Sequence, residues 1–232
     1  MDTKYLDEYE LSYIKIWIVI GNYMIAVFGG YKKFGIYLTN KLYNSQAIVI
    51  SPLIQFILYC IIIGITVWGM FPLIKDGFYN FKKEYFNDVF SILTVAFIAI
   101  GLIFIVVSAL DIKISLNMMS KYEYRNILVT IFGAIVYAPI VEELIFRGAM
   151  LHVMKFKNKY LCLLIISVIF SIGHVKGYEF SFDSSLYFVV FVIVGFSFGI
   201  SYIYTKSILG AMLSHLYWNS ITIFIMIIKI II

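Results

Sequence analysis

The chain has 232 residues, of which 62% are hydrophobic and only 13% are charged. A soluble globular domain carries about 25% charged residues, so this composition leaves too little polar surface for a water-soluble fold. The formal net charge of +5 comes from Lys and Arg in short segments between apolar runs, which is typical of membrane topology and not of a nucleic-acid-binding face. We therefore predict a multi-pass integral membrane protein whose surroundings are the lipid bilayer, with no nucleic-acid partner.

Apolar runs predict the membrane helices in chain order. The first run, at 12–30, is interrupted by Lys15, Gly21 and Asn22, so it is predicted either to span the membrane or to lie in its interface. Six clear runs follow, at 47–72, 90–110, 127–152, 159–175, 184–204 and 207–230. The backbone inside lipid must satisfy its own hydrogen bonds, so these runs are predicted to be helices.

The predicted fold is all-α: a single integral membrane domain over 1–232, built as a polytopic transmembrane bundle of about 6–8 helices. A polar connection carrying Lys32, Lys33 and Lys41 is predicted between the first run and the second. The basic residues divide almost equally between the two faces of the bundle. The positive-inside rule therefore predicts no membrane orientation.

The run at 127–152 contains ionisable residues where lipid is expected, namely Glu142, Glu143 and Arg147. Each ionisable residue near the middle of a span costs about 2.5–3.5 kcal/mol on insertion scales, so all three are predicted to face the bundle interior. Glu143 and Arg147 are four residues apart and are predicted to pair, whereas Glu142 points about 100° away. Pro139 is predicted to free the carbonyl of Ile135 and to kink the helix beside the acids. A structural ion pair between helices is the simpler alternative for Glu143 and Arg147.

Histidine and asparagine residues add polar groups to three other turns of the apolar runs. His174 follows Phe170 by one helical turn, and Asn219 follows His215 by one turn on the same helical face. A rise of 1.5 Å per residue places Glu142, His174 and Asn219 about 20–24 Å from the same membrane face. The sequence therefore predicts that these side chains share one layer and form a site.

A carboxylate beside a histidine can deprotonate a water and later protonate a leaving amine. A second histidine and an asparagine amide can donate hydrogen bonds to the oxyanion, so Glu, His, His and Asn suffice for hydrolysis of a peptide bond. Zinc held by Glu142, His174 and His215 is the alternative. The usual HExxH helix is absent, so the metal-free mechanism is favoured and no cofactor is predicted with certainty.

Three motifs in the chain resemble, in order, those of the CPBP intramembrane proteases. This family includes the type II CAAX prenyl endopeptidases and bacterial bacteriocin-processing or self-immunity proteins. The motifs read Glu142-Glu143-x-x-x-Arg147, Phe170-x-x-x-His174 and His215-x-x-x-Asn219. The resemblance implies a catalytic core at 126–225, preceded by N-terminal spans at 1–125.

The resemblance also implies a role for each motif residue. Glu142 and His174 would activate the water, and His215 with Asn219 would form the oxyanion hole. Supporting roles would fall to the remaining motif residues, Glu143, Arg147 and Phe170. Similarity to short bacterial members implies a bacterial plasma membrane, and a peptide or lipidated protein as the substrate.

Two other functions fit the same residues. One is a non-catalytic immunity or regulatory partner in the membrane that retains the protease fold. The other is a transporter that uses buried Glu and His as a proton relay. The chain shows no inverted repeat, which argues against the transporter.

Overall fold

Eight helices make up the part of the chain that the computed structural model describes, which is 11–43, 50–112, 126–154, 158–175 and 179–231. These residues contain no strand, so the prediction of a polytopic helical bundle is confirmed. The helices are α1 (Tyr13–Val27), α2 (Gly30–Tyr43), α3 (Pro52–Asn80), α4 (Tyr85–Ala109), α5 (Ile127–Val153), α6 (Lys159–Val175), α7 (Phe182–Thr205) and α8 (Ile208–Ile231).

Five helices, α3, α4, α5, α7 and α8, are long and apolar enough to cross a membrane. Helix α6 is apolar but has 17 residues, which gives a length of about 26 Å against a hydrocarbon core of about 30 Å. The interior of the bundle is formed mainly by α7, in which 56% of the most apolar 18-residue stretch is buried.

The N-terminal helices α1 and α2 differ from the prediction. Helix α1 has 15 residues and is about 22 Å long, so alone it is too short to span. It joins α2 at a bend of 63°, and the two together have the length and apolarity of one span. Gly29 adopts a φ of +79°, a backbone conformation that suits glycine and allows the chain to turn there.

The polar connection predicted around Lys32, Lys33 and Lys41 is wrong, because these lysines lie on α2. The helix buries one face despite its lysines. On that face Thr39 donates a hydrogen bond to the Gly35 carbonyl at 2.8 Å and accepts one from the Ser51 amide at 3.0 Å. The exposed lysines lie on the remaining faces, so this helix does not stand out as an apolar run.

Helix α5 is continuous but irregular, and its irregular parts flank the paired glutamates. It begins at the N-cap Asn126, whose side chain accepts a hydrogen bond from the Val129 amide at 3.1 Å. Two π-helical segments, Gly133–Tyr137 and Leu144–Met150, lie on either side of Glu142 and Glu143. Such segments widen the helix locally and are frequent at functional sites.

Helices α6 and α7 pack closely through two glycines. A side chain at Gly195 would meet the ring of Phe170 at 3.0 Å, and one at Gly199 would meet Leu163 at 2.7 Å. The spacing Gly195-x-x-x-Gly199 is the small-residue pattern that lets membrane helices approach each other. The predicted boundary near residue 125, and the basic residues of 113–125, 155–157 and 176–178, lie outside the described residues.

Candidate active site

An ion pair between two fully buried side chains forms the base of the site. Arg147 Nη1 lies 3.1 Å from Glu143 Oε1 and 3.0 Å from Oε2, and both side chains are 0% exposed. The other terminal nitrogen of Arg147 donates to the carbonyl of Gly195 on α7. The four-residue spacing predicts this pair. Because both side chains are buried, removal of either one would leave the other as an uncompensated charge.

Aromatic rings surround the Arg147 guanidinium on the sides that Glu143 leaves open. Its central carbon lies 5.8 Å from the ring centre of Phe146, 5.5 Å from that of Phe170 and 5.7 Å from that of Phe198. These distances are within the range of favourable cation–π contacts. The predicted supporting residue Phe170 is therefore part of a cage of three rings contributed by α5, α6 and α7.

His215 connects the two glutamates. Its Nδ1 lies 2.7 Å from Glu143 Oε1, and its Nε2 lies 4.0 Å from Glu142 Oε2. The side chain is 3% exposed, and Phe198 stacks on the imidazole with ring centres 4.7 Å apart. An ionised carboxylate can only accept, so Nδ1 carries a proton and donates to Glu143. In the neutral ring, Nε2 then presents a lone pair toward Glu142.

Glu142 has an unsatisfied oxygen. Its side chain is 15% exposed, and Oε2 is buried without a hydrogen-bond partner among the described residues. Unlike Glu143, it is not held by Arg147. A buried carboxylate oxygen without a partner is costly for the fold alone, and such an atom facing a polar group indicates a place for a ligand or a reactant.

His174 lies at the end of α6 and does not pair with Glu142. Its Nδ1 donates to the Phe170 carbonyl at 2.9 Å, and its ring packs against Phe170 and Phe191 with ring centres 4.2 and 4.5 Å away. Within the described part of the chain, no ion pair joins His174 to Glu142 or Glu143. The direct contact of Glu142 is with His215, and a water shared by Glu142 and His174 stays a prediction.

Asn219 donates a hydrogen bond to a backbone carbonyl of α5. The Ala138 amide bonds to the Gly133 carbonyl five residues earlier, and the next carbonyl, that of Ala134, has Pro139 five residues later. Proline has no N–H to donate. The Asn219 side-chain amide instead donates to the Ala134 carbonyl at 2.8 Å. The π-helical register thus places this contact one residue before the predicted carbonyl of Ile135.

The alternative of a zinc ion held by Glu142, His174 and His215 stays a prediction that the described contacts do not favour. Among the residues that the structure describes, no three His, Cys, Asp or Glu side chains form a group that could hold a metal. Of the three predicted zinc ligands, only Glu142 and His215 face each other, whereas a catalytic zinc site uses three protein ligands.

The sequence motifs do not include two residues of the site, Gly195 and Phe198. Gly195 provides a carbonyl to Arg147, and Phe198 covers both Arg147 and His215. The Gly195-x-x-x-Gly199 spacing was a usable signal for a close helix contact at this position. No sequence signal points to Phe198, since an aromatic residue in a run rich in phenylalanine does not stand out.

Comparison with known proteins adds one finding to this geometry. Residues 124–221 match the family model described as type II CAAX prenyl endopeptidase Rce1-like. No curated protein and no solved structure matches the chain. The matched segment contains all three motifs, from Glu142 to Asn219, and confirms the family resemblance that they carry. The segment 124–221 of this chain is therefore similar to the Rce1-like type II CAAX prenyl endopeptidases, which are intramembrane proteases of the CPBP type.

Proposed function

We propose that this chain is an intramembrane endopeptidase in which Glu142 acts as the general base on a water molecule. The observation that carries the proposal is that Glu142 Oε2 and His215 Nε2 face each other at 4.0 Å. This separation is too long for a direct hydrogen bond, and it lets one water oxygen lie about 2.8 Å from both atoms. Hydrolysis of a peptide bond needs one water held in this way.

The reaction requires one proton acceptor that later becomes a proton donor. Glu142 accepts a proton from the water while the water oxygen bonds to the carbonyl carbon of the scissile peptide bond. The carbonyl oxygen takes the displaced electron pair and becomes an oxyanion. When the C–N bond breaks, Glu142 returns the proton to the leaving nitrogen. The products are a carboxylic acid and an amine, and Glu142 is again ionised.

His215 orients the water in this proposal. Its Nδ1 donates to Glu143 at 2.7 Å, which leaves the Nε2 lone pair to accept a hydrogen bond from the second O–H of the water. Arg147 compensates the charge of Glu143, so Glu142 remains the carboxylate that is available for proton transfer. This role for His215 differs from the oxyanion role that the family resemblance implies.

The position of Glu142 limits the substrate class. Glu142 lies about 22 Å along α5 from Ile127 and about 16 Å from Val153, near the middle of a helix that is long enough to span. A peptide bond reaches this depth when its chain is itself held in the membrane. We therefore propose a membrane-associated substrate, either a prenylated protein or a bacteriocin-like peptide, and a bacterial plasma membrane as the location.

The test is peptide cleavage by the protein reconstituted in liposomes, with products identified by mass spectrometry. One substrate is a farnesylated peptide with a C-terminal CAAX sequence, and the other is a hydrophobic bacteriocin leader peptide. Glu142→Gln keeps the size of the side chain and removes the base, so the rate should fall about 10²–10⁴-fold. Glu84→Gln is the matched control, because Glu84 is exposed in the turn before α4. It should cleave at the wild-type rate.

Four further results distinguish the alternatives. Wild-type activity that persists in a chelator supports the glutamate mechanism, and activity that is lost and then restored by zinc contradicts it. Equal cleavage by wild type and Glu142→Gln would exclude Glu142 as the base. His215→Ala should lose as much rate as Glu142→Gln. A much larger loss in His174→Ala would return the water-activating role to His174.

A further inference from the structure

A pair of serine hydroxyls joins α7 to α8 beside His215. Ser214 Oγ lies 2.7 Å from Ser201 Oγ, and both residues are 0% exposed. Each hydroxyl also has an acceptor in its own helix. Ser214 Oγ lies 3.0 Å from the Gly210 carbonyl oxygen, and for Ser201 the carbonyl of Ser197 lies at 3.1 Å. Whichever serine donates across the two helices, the other donates within its own helix, so both protons are used.

The contact between the two serines is not needed to satisfy their hydrogen bonds. A hydroxyl in a helix can donate to the carbonyl four residues earlier, as Ser220 of α8 and Thr94 of α4 do. Ser214 has the Gly210 carbonyl at that position. Its approach to Ser201 therefore adds a directed bond between two helices, and such bonds help to hold membrane helices together.

The start of α8 is packed tightly against α7 and α3. A Cβ at Gly210 would overlap Thr205 Oγ1 and would lie 3.0 Å from the Ser201 carbonyl oxygen, so glycine allows the close approach of α8 to α7. Just before α8, Ser207 Oγ donates to the Gly77 carbonyl of α3 at 2.9 Å. The serine pair extends this junction by one turn, from the first turn of α8 to the turn that enters the active site.

The serine pair and His215 lie on different faces of α8. Ser214 and His215 are consecutive, so their side chains point about 100° apart, one toward α7 and the other toward α5. Side chains extend about 5–6 Å from a helix axis, so a rotation of α8 by about 20° would move the imidazole by about 2 Å. That displacement would break the 2.7 Å contact between His215 Nδ1 and Glu143. The bond between the serines opposes such a rotation.

We propose that Ser201 and Ser214 are positioning residues of the active site, whose hydrogen bond fixes the rotation of α8 and thereby holds His215 against Glu143. The inference rests on the proposed endopeptidase function, and it holds for any role of His215 in the reaction. Neither serine contacts the substrate, and no bond is made or broken at either hydroxyl. The two serines lie in the matched segment 124–221, but none of the three motifs includes them.

The first measurement compares cleavage by serine variants of the full chain in liposomes. Ser214→Ala and Ser201→Ala should each lower kcat about 10–10²-fold and change KM by less than about twofold, as expected for a displaced catalytic group. Because the serines act through one bond, the double variant should lose no more than either single variant. Ser220→Ala is the matched control, since its exposed hydroxyl bonds within α8, and its kcat should stay within about twofold of wild type.

The second measurement records the Nδ1–H of His215 by NMR in ¹⁵N-histidine-labelled protein. A proton donated to a carboxylate resonates far downfield, and loss of this signal in His215→Ala assigns it. In Ser214→Ala and Ser201→Ala the signal should move upfield or broaden, and in Ser220→Ala it should stay unchanged. The unfolding temperature of the serine variants should fall by less than about 4 °C, so partial unfolding would not account for the change.

Three results would overturn the inference. One is a wild-type kcat in both Ser214→Ala and Ser201→Ala. Another is a loss of kcat with the His215 signal unchanged, because the serines would then act elsewhere in the fold. The third is additive losses in the double variant. The spectrum does not depend on catalysis: if the wild type cleaves neither peptide, the proposed function fails, while the signal still decides whether the serine pair holds His215.

Discussion

Replacing Arg147 by methionine would leave the carboxylate of Glu143 buried without its cation. Both side chains are 0% exposed, so water cannot take the place of the guanidinium. Removing one partner of a buried ion pair costs about 3–5 kcal/mol, because the remaining charge is left uncompensated. Methionine keeps much of the apolar volume among Phe146, Phe170 and Phe198, so packing contributes little to this loss.

The double variant Arg147→Met/Glu143→Gln separates the buried charge from the lost contacts. Glutamine at 143 carries no charge, and its amide oxygen can still accept the hydrogen bond from His215 Nδ1. We therefore expect the double variant to recover about 2–3 kcal/mol of what Arg147→Met loses, which is a coupling typical of residues in direct contact. Activity should recover less, because a neutral amide oxygen is a weaker acceptor than a carboxylate for the N–H of His215 and holds the imidazole less firmly.

Thermal unfolding in detergent measures both effects. At about 2–4 °C per kcal/mol, the Arg147→Met variant should unfold about 6–20 °C below wild type, with the double variant in between. Lys83→Met is the control for loss of a cation, since Lys83 is exposed in the turn between α3 and α4 and should cost less than about 0.5 kcal/mol. Identical unfolding temperatures for Arg147→Met and the double variant would refute the argument from an uncompensated charge.

Two further predictions concern the helix contacts that hold the site. In Gly195→Ala the new methyl group would lie 3.0 Å from an aromatic carbon of α6. The free energy of unfolding should therefore fall by about 1–3 kcal/mol, and the cleavage rate should also fall. Gly101→Ala is the control and should be neutral, because a Cβ there has nothing within 4 Å. Asn219→Leu should cost about 1–3 kcal/mol because it leaves a backbone carbonyl of α5 without a donor, and Pro139→Ala should reduce that cost by restoring an N–H. Strict additivity in a double-mutant cycle of Asn219 and Pro139 would contradict this compensation.

Much of the fold follows from hydropathy, and the departures have a local cause. The clear runs at 90–110, 159–175 and 184–204 correspond closely to α4, α6 and α7. The helix α2 was missed because hydropathy counts a lysine as polar wherever its stem lies. Gly29, at φ +79°, marks the bend between α1 and α2, but a glycine in a sequence does not reveal which backbone conformation it adopts.

The motif residues of the site were predictable from the sequence, whereas Gly195, Phe198 and some of the pairings were not. Glu143 and Arg147 pair within one helix, where the four-residue spacing fixes their relative direction. Helical rise placed Glu142, His174 and Asn219 at one depth, but rise says nothing about the direction in which a residue points around its helix. Which histidine faces Glu142 depends on how α6 and α8 are rotated against α5, and the π-helical segments of α5 change that rotation in a way that periodicity does not reveal.

The four-residue spacing of His215 and Asn219 lets both side chains of α8 contact α5. The residues are four apart, so they share one face of α8, and both contact α5: His215 at the Glu143 carboxylate and Asn219 at the Ala134 carbonyl. A rotation of α8 that removed His215 from Glu143 would also remove the donor that replaces the missing N–H of Pro139. The defect that Pro139 creates in α5 therefore favours the rotation of α8 in which His215 faces Glu142, and a backbone irregularity helps to hold the proposed water site in register.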